Sequence, residues 1–283
     1  MSEPKPFQDA TVTAALATFG RDGRRRFLVA DEVGLGKTVV AKEIARRMSE
    51  DGTRPLTIYY IANGHSVSFQ NKARVIAFLG KAEREIAVKT PDRLSLIASS
   101  TRPKQDVVIY ALTPGTSFPG GKARLTGGKK EERAFLKVLL DKAYPAFAAS
   151  LEEDVLRLNV GDSWQWLVTD AEKKRRAAPP NLTQRFREAL SSEFETDDVR
   201  AELEKAVRGD RANGKKPLKP AAFVGRLRRA LALATLRHQP PDLVVLDEFQ
   251  RYRQLLDEGG SRPAPRSAPG AGRIFGPPSD PDA

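Results

Sequence analysis

The stretch Ala30-Asp31-Glu32-Val33-Gly34-Leu35-Gly36-Lys37-Thr38 constrains the fold more than any other in the chain. An apolar run, Arg26-Phe27-Leu28-Val29-Ala30, stands before it and predicts a buried strand. Gly34 and Gly36 predict a tight turn with backbone N–H groups left free. Val39 to Met48 has helical spacing: apolar Val40, Ile44 and Met48 recur every fourth residue, with Lys42, Arg46 and Arg47 largely on the solvent side. Asp51-Gly52 ends that helix. Strand, glycine turn, Lys-Thr and helix in this order form a loop that cradles phosphate.

The residue types fit that chemistry. A triphosphate needs a concave nest of N–H donors, which Gly34, Leu35 and Gly36 would supply by close backbone approach. Lys37 would place a point charge on the β- and γ-phosphates, and the Thr38 hydroxyl would ligate Mg²⁺. The partial positive charge of the helix start adds to the anion site. The general pattern has a further glycine where this chain has Asp31. The competing reading is a glycine-rich turn followed by an incidental Lys-Thr.

A second stretch completes the chemistry. Asp242-Leu243-Val244-Val245-Leu246-Asp247-Glu248 is an apolar strand ending in two carboxylates. Asp247 would hold Mg²⁺ through its water shell, and Glu248 would orient and deprotonate an attacking water. An Asp-Glu pair alone says nothing among 36 acidic residues; at the end of an apolar strand, beside a phosphate loop, it does.

Between these stretches, Leu56 to Ala62 and Asp106 to Leu112 predict further buried strands, and Arg93 to Ala98 an apolar helix or strand. After the strand ending at Leu112, Thr113-Pro114-Gly115-Thr116-Ser117 predicts a turn exposing hydroxyls and N–H groups. Beyond the carboxyl ends of strands is where ligands of such sheets lie. Residues 119–240 read as a basic helical insertion. In it Glu131 to Ala143 is an amphipathic helix, Trp164 and Trp166 mark an apolar cluster, and Asn181-Leu182-Thr183-Gln184 resembles a capping box. Ala221 to Leu236 sets Arg226, Arg228, Arg229 and Arg237 beside apolar residues, a basic side able to track a phosphate backbone or to be a solvated face.

With 283 residues and 40% hydrophobic content the chain can bury a core of one large or two small domains. Its net charge of +12 allows a polyanionic partner or a generally basic surface. There are no cysteines and two histidines, which excludes disulfides and thiolate metal sites and disfavours a histidine-based one. No apolar run approaches a membrane span, and Met1 to Pro6 does not resemble a signal peptide, so the expected location is the cytoplasm.

Ala30-Asp31-Glu32-Val33-Gly34-Leu35-Gly36-Lys37-Thr38 closely resembles motif I of superfamily 2 helicases, Swi/Snf-type DNA translocases above all. Asp247-Glu248-Phe249-Gln250 resembles a variant of their Asp-Glu-x-His box, with Gln250 able to hydrogen-bond toward the γ-phosphate. The resemblance implies a RecA-like, doubly wound, mostly parallel α/β sheet that binds ATP and Mg²⁺. It implies that Gln8, in Phe7-Gln8, reads adenine, since an amide donates and accepts at once. It implies that Asn63, Gln70 and Asn71 contact the nucleic-acid backbone, with Thr113, Thr116 and Ser117 suited to the same partner, DNA rather than RNA. Taken singly, each of these polar residues also reads as a turn or cap.

Residues 1–118 and 241–258 are thus expected to form one ATP-binding domain around the 119–240 insertion, and the proline-rich 259–283 is expected to be disordered. A Ser/Thr-Ala-Thr motif III strand and a second RecA-like domain with arginine fingers are lacking. The expectation is a truncated or out-of-frame first domain, with weak or no turnover on its own. Otherwise it is a natural short protein whose sheet another segment or a partner chain closes. Two further functions stay open: a P-loop ATPase switch or loader unrelated to helicases, and a non-enzymatic basic nucleic-acid-binding fragment.

Overall fold

The computed structural model describes residues 4–19, 27–29, 36–52, 55–100, 104–117, 127–210 and 212–247. Helix α1 (Pro6–Phe19) comes first, and helix α2 (Lys37–Asp51) follows Gly36 and stops at Gly52. Strand β1 (Leu56–Ile61) leads into helices α3 (His65–Val75), α4 (Lys81–Ala87) and α5 (Leu94–Ile97), and then strand β2 (Val107–Leu112). The short helix α6 (Pro114–Ser117) is followed by α7 (Lys130–Ala143), α8 (Pro145–Ser150), α9 (Asp154–Arg157) and α10 (Trp164–Ala177). Helices α11 (Leu182–Phe194), α12 (Val199–Arg208) and α13 (Pro220–His238) precede strand β3 (Leu243–Leu246).

The protein is α/β. Its three described strands form one all-parallel sheet in the order β2-β1-β3, with Leu56 opposite Val107 and Ile58 opposite Leu243. Strands β1 and β2 are buried along their whole length, as their unbroken apolar and aromatic runs require of a parallel sheet covered on both faces. On one face Ile58, Tyr60, Ile109 and Leu243 pack against α1 to α4 through Val12, Val40, Ile44 and Val75. On the other, Tyr59, Ile61, Val108 and Tyr110 meet Leu94 and Ile97 of α5 and Ala232 of α13. The Tyr59 and Tyr110 rings meet edge to face at 5.6 Å. Each large side chain buried this way contributes about 1.5–3 kcal/mol.

Helices α7 to α13 enclose a second core, centred on Phe135, Leu139, Phe186, Leu190, Phe223 and Leu227. Helix α13 belongs to both cores, so the region read as an insertion supplies the cover for one face of the sheet. A buried charged seam joins them. Glu132 is fully buried and accepts from Arg228 Nε at 2.9 Å, Arg93 Nη1 at 3.3 Å, the Lys129 N–H at 2.6 Å and the Ser95 hydroxyl. Arg228, 2% exposed, also donates to the Thr116 carbonyl at 3.1 Å. Gly128 has φ +65°, and a Cβ there would lie 2.6 Å from Glu132 Oε2, so only glycine lets the chain pass this pair.

Several expectations are corrected. Phe27 to Val29 form no strand: Phe27 and Val29 pack partly against the core, but Leu28 is 59% exposed. A strand needs a hydrogen-bonded neighbour, and among the described residues β3 pairs only with β1. Its last three residues are accordingly half-buried. Arg93 to Ala98 resolves as a helix, and the turn after Leu112 is the helical turn α6 instead. Asn181 stands at the start of α11 in a helical conformation and without a side-chain cap bond, and Gln184 bonds Glu188, so no capping box forms. Trp164 is buried while Trp166 is 68% exposed, so only one of the pair joins the core. Arg26, Ala30 and the tail 259–283 lie outside the described residues. No described helix is long and apolar enough to cross a membrane.

Removing one partner of a buried charged cluster leaves the other charge unpaired, at a cost of about 3–5 kcal/mol. Glu132→Ala is therefore expected to lose roughly that much stability, read as a lower urea midpoint at unchanged slope.

Candidate functional site

Helix α2 ends at Asp51 and returns through the short link 52–55 to the start of β1. At about 1.5 Å per residue its length matches that of β1 at about 3.3 Å per residue. The start of α2, at Gly36, Lys37 and Thr38, thus lies at the carboxyl edge of the sheet. Asp247 ends β3 at the same edge, its N–H donating to the Ile61 carbonyl at 2.9 Å. Side chains alternate along a strand, so Asp247 shares the face of Leu243 and Val245, the face that α2 and α3 cover. The two ends of the predicted site therefore share one face and one edge, which in parallel α/β sheets is where ligands collect.

Helix α2 opens without a side-chain cap. Gly36 is left-handed, φ 84° and ψ 36°, and its carbonyl accepts from Val39 at 2.7 Å and Val40 at 3.2 Å. An uncapped helix start presents N–H donors and the positive end of the helix dipole to an anion. Lys37 is exposed and Thr38 half-exposed beside it. Gly34 and Leu35 lie outside the described residues.

Gln8 sits in the first turn of α1, yet it is 6% exposed and reaches Gly36. A Cβ at Gly36 would collide with Gln8 Nε2. The Gln8 Oε1 accepts the Lys5 N–H at 2.9 Å, which commits the acceptor end of the amide locally. Helices α1 and α2 are clamped together by the ion pair of Asp9 with Arg47. Arg47 also donates to buried Glu43 at 3.0 Å, and Arg46 donates to Glu43 at 2.6 Å and to Glu50 at 2.5 Å. Hydrogen bonds from Arg46 and then Arg47 outweigh desolvation and hold the Glu43 carboxyl down at about 2.

Asp247 is not alone. Tyr60, buried in β1, donates its hydroxyl to Asp247 Oδ2 at 2.5 Å and accepts from Asn71 Nδ2 at 3.1 Å. Asn71 Nδ2 also lies 3.4 Å from Asp247 Oδ2. One carboxylate oxygen is thereby oriented by two donors. Glu248 and Gln250 lie outside the described residues. No cluster of three or more His, Cys, Asp or Glu side chains able to hold a metal exists among the described residues. A Mg²⁺ ion at Thr38 and Asp247 would need phosphate oxygens and water to complete its six ligands.

The nucleic-acid candidates divide. Asn63 and Gln70 are exposed at the carboxyl edge and on α3. Asn71 turns inward to Tyr60 and Asp247. Thr113 and Ser117 are buried, and the Thr113 and Thr116 hydroxyls bond each other at 2.7 Å, so the turn does not display them as expected. Of the basic side read on α13, Arg226, Arg228 and Arg229 are taken up internally. Arg228 pairs with Glu132, and Arg226 and Arg229 both pair with buried Glu193, Arg226 at 2.9 Å. Tyr60 was not legible as a site residue within an apolar run. The signal was positional: it stands on the strand face that Asp247 shares.

No protein-family model matches the chain, and no match to it was found among curated proteins or among solved structures.

Tyr60→Phe removes one donor to a charged acceptor, a bond worth about 1.5–3 kcal/mol, and is expected to lower stability within that range by urea unfolding. Glu43 titrates lower folded than unfolded, so its contribution is complete above its ordinary value of 4.5 and fades as pH falls toward about 2. The stability gap between wild type and Glu43→Gln should be widest near neutrality and close over that window, as followed by thermal unfolding against pH.

Proposed function

We propose that the carboxyl edge around Gly36 and Asp247 binds ATP with Mg²⁺, and that the chain is the RecA-like, ATP-binding first half of a helicase or translocase of the superfamily 2 type. The observation that carries this reading is the meeting of Gln8 with Gly36 at the uncapped start of α2. Two residues far apart in sequence, each expected at a nucleotide, come together at the end of the sheet that also bears Asp247. The exposed ammonium of Lys37 would meet the β- and γ-phosphates, and Thr38 and Asp247 would share the ion with them. Glu248 would hold the attacking water. The polyanion partner in the complete enzyme is DNA, met by the exposed Asn63 and Gln70, and the chain works in the cytoplasm.

Turnover by the chain alone is expected to be weak. A transition-state arginine is worth about 10³ to 10⁵ in rate in related phosphoryl transfers, and a second RecA-like domain or a partner chain would supply it. Among the described residues β3 pairs on one side only and Phe27 to Val29 are not in a strand, which supports a further strand entering between them. One observation favours a second reading, an ATPase switch or loader that does not travel on nucleic acid. Arg226, Arg228 and Arg229 are spent on internal carboxylates, which removes much of the expected basic track.

Binding of a fluorescent ATP analogue with Mg²⁺ tests the site. Lys37→Ala is expected to weaken binding at least about tenfold, or 1.4 kcal/mol, and unchanged affinity would overturn the assignment. Hydrolysis stimulated by DNA supports the translocase reading; hydrolysis indifferent to DNA and RNA supports the switch.

A further inference from the structure

A cavity of about 820 Å³ opens between the sheet layer and the helical region, away from the start of α2. Its walls come from α3, from the segment before α5, from β2, and from α7 and α10. Volumes of roughly 300–1,000 Å³ are those of sites for single small molecules. Phe69, Pro91, Leu96 and Ala111 give it apolar walls.

The charges in it are unequally matched. Asp92 takes Lys129 at 3.0 Å and His65 at 2.9 Å, and Lys174 pairs with Asp170 at 2.7 Å. Lys72 has no ion pair among the described residues, although it is 2% exposed. Its ammonium donates to the Val88 carbonyl at 2.5 Å and lies 4.5 Å from the Phe69 ring centre. A carbonyl and a ring face satisfy an ammonium only in part, and a buried charge without a counter-charge is costly. Burial lowers the Lys72 pKa, with Asp92 opposing the shift. Glu131 also lines the cavity and disfavours a second negative group in the same ligand.

We propose that this cavity binds a small organic molecule with one oxyanion head, a carboxylate or a phosphate, received by Lys72, and an apolar or aromatic body lying against Phe69 and Leu96. A nucleic-acid strand fits the site less well, since Lys72 is 2% exposed and offers a strand no surface to lie on. The site is separate from the nucleotide reading and does not depend on it.

The test uses the full chain, titrated calorimetrically with benzoate, phenyl phosphate and the neutral benzyl alcohol. One of the two anions is expected to bind at one site with millimolar or tighter affinity, at least about tenfold weaker to Lys72→Met, and unchanged by Lys37→Ala. Which anion binds decides between carboxylate and phosphate. The bound anion should also protect Lys72 from acetylation in the wild-type protein, read by mass spectrometry, which keeps the test valid if Lys72→Met fails to fold. Absence of binding by both anions, equal binding of benzyl alcohol, undiminished binding by folded Lys72→Met, loss with Lys37→Ala, or protection of Lys72 by a single-stranded oligonucleotide but by neither anion would each overturn the proposal.

Discussion

The sheet is referred to β1, because among the described residues it is the strand that pairs on both sides. Its partners β2 and β3 run parallel to it, so no tight hairpin can join any two of them and each connection must cross over through helices. That single requirement sets the architecture. The link from β1 to β2 carries α3 to α5, and the link from β2 to β3 carries the whole of α6 to α13. It also brings all three strand ends to one edge, where Asp247 closes β3. Asp242 fixes the register of β3 at the opposite edge, its N–H donating to the Thr57 carbonyl at 2.9 Å and its Oδ2 accepting from the Thr57 N–H at 2.8 Å.

The long crossover is stabilised differently from the sheet. Its core is apolar, but it is joined to the sheet layer through Glu132, which has no solvent and is held by groups from α5, α7 and α13. Such a pair contributes little net stability compared with an apolar substitute, while breaking it is costly. Its effect is to fix where α13 crosses α7, since only one placement satisfies Glu132, Arg228 and the Thr116 carbonyl together. The same logic applies at Glu193, which gathers Arg226 and Arg229 while the Arg226 guanidinium stacks 3.8 Å from the Phe194 ring.

This explains what the sequence could and could not convey. Unbroken apolar runs identified β1, β2 and β3, and four-residue spacing identified α2, α7 and α13, because those patterns report burial directly. The role of the arginines on α13 was not legible, since their carboxylates come from helices about 33 to 96 residues away in the chain and spacing along one helix cannot reveal them. The segment Phe27 to Val29 failed as a strand for a related reason: composition gives a strand its propensity, but pairing needs a neighbour. Along the carboxyl edge, the helix start after Gly36 and the place of Asp247 at the end of β3 were legible. The inward turn of Asn71 and the contribution of Tyr60 were not.

That inward turn bears on what Asp247 can do. A carboxylate accepting from Tyr60 and Asn71 through the same Oδ2 has that oxygen directed into the protein. Its lone pairs are partly used. On the nucleotide reading proposed above, a side chain held this way would keep its place beside a cation, because rotation that would carry it off the ion breaks two hydrogen bonds. The hydrogen bonds of Asp247 to Tyr60 and Asn71 thus tie the end of β3 to β1 and α3, so that any ligand of this carboxylate meets it in one orientation.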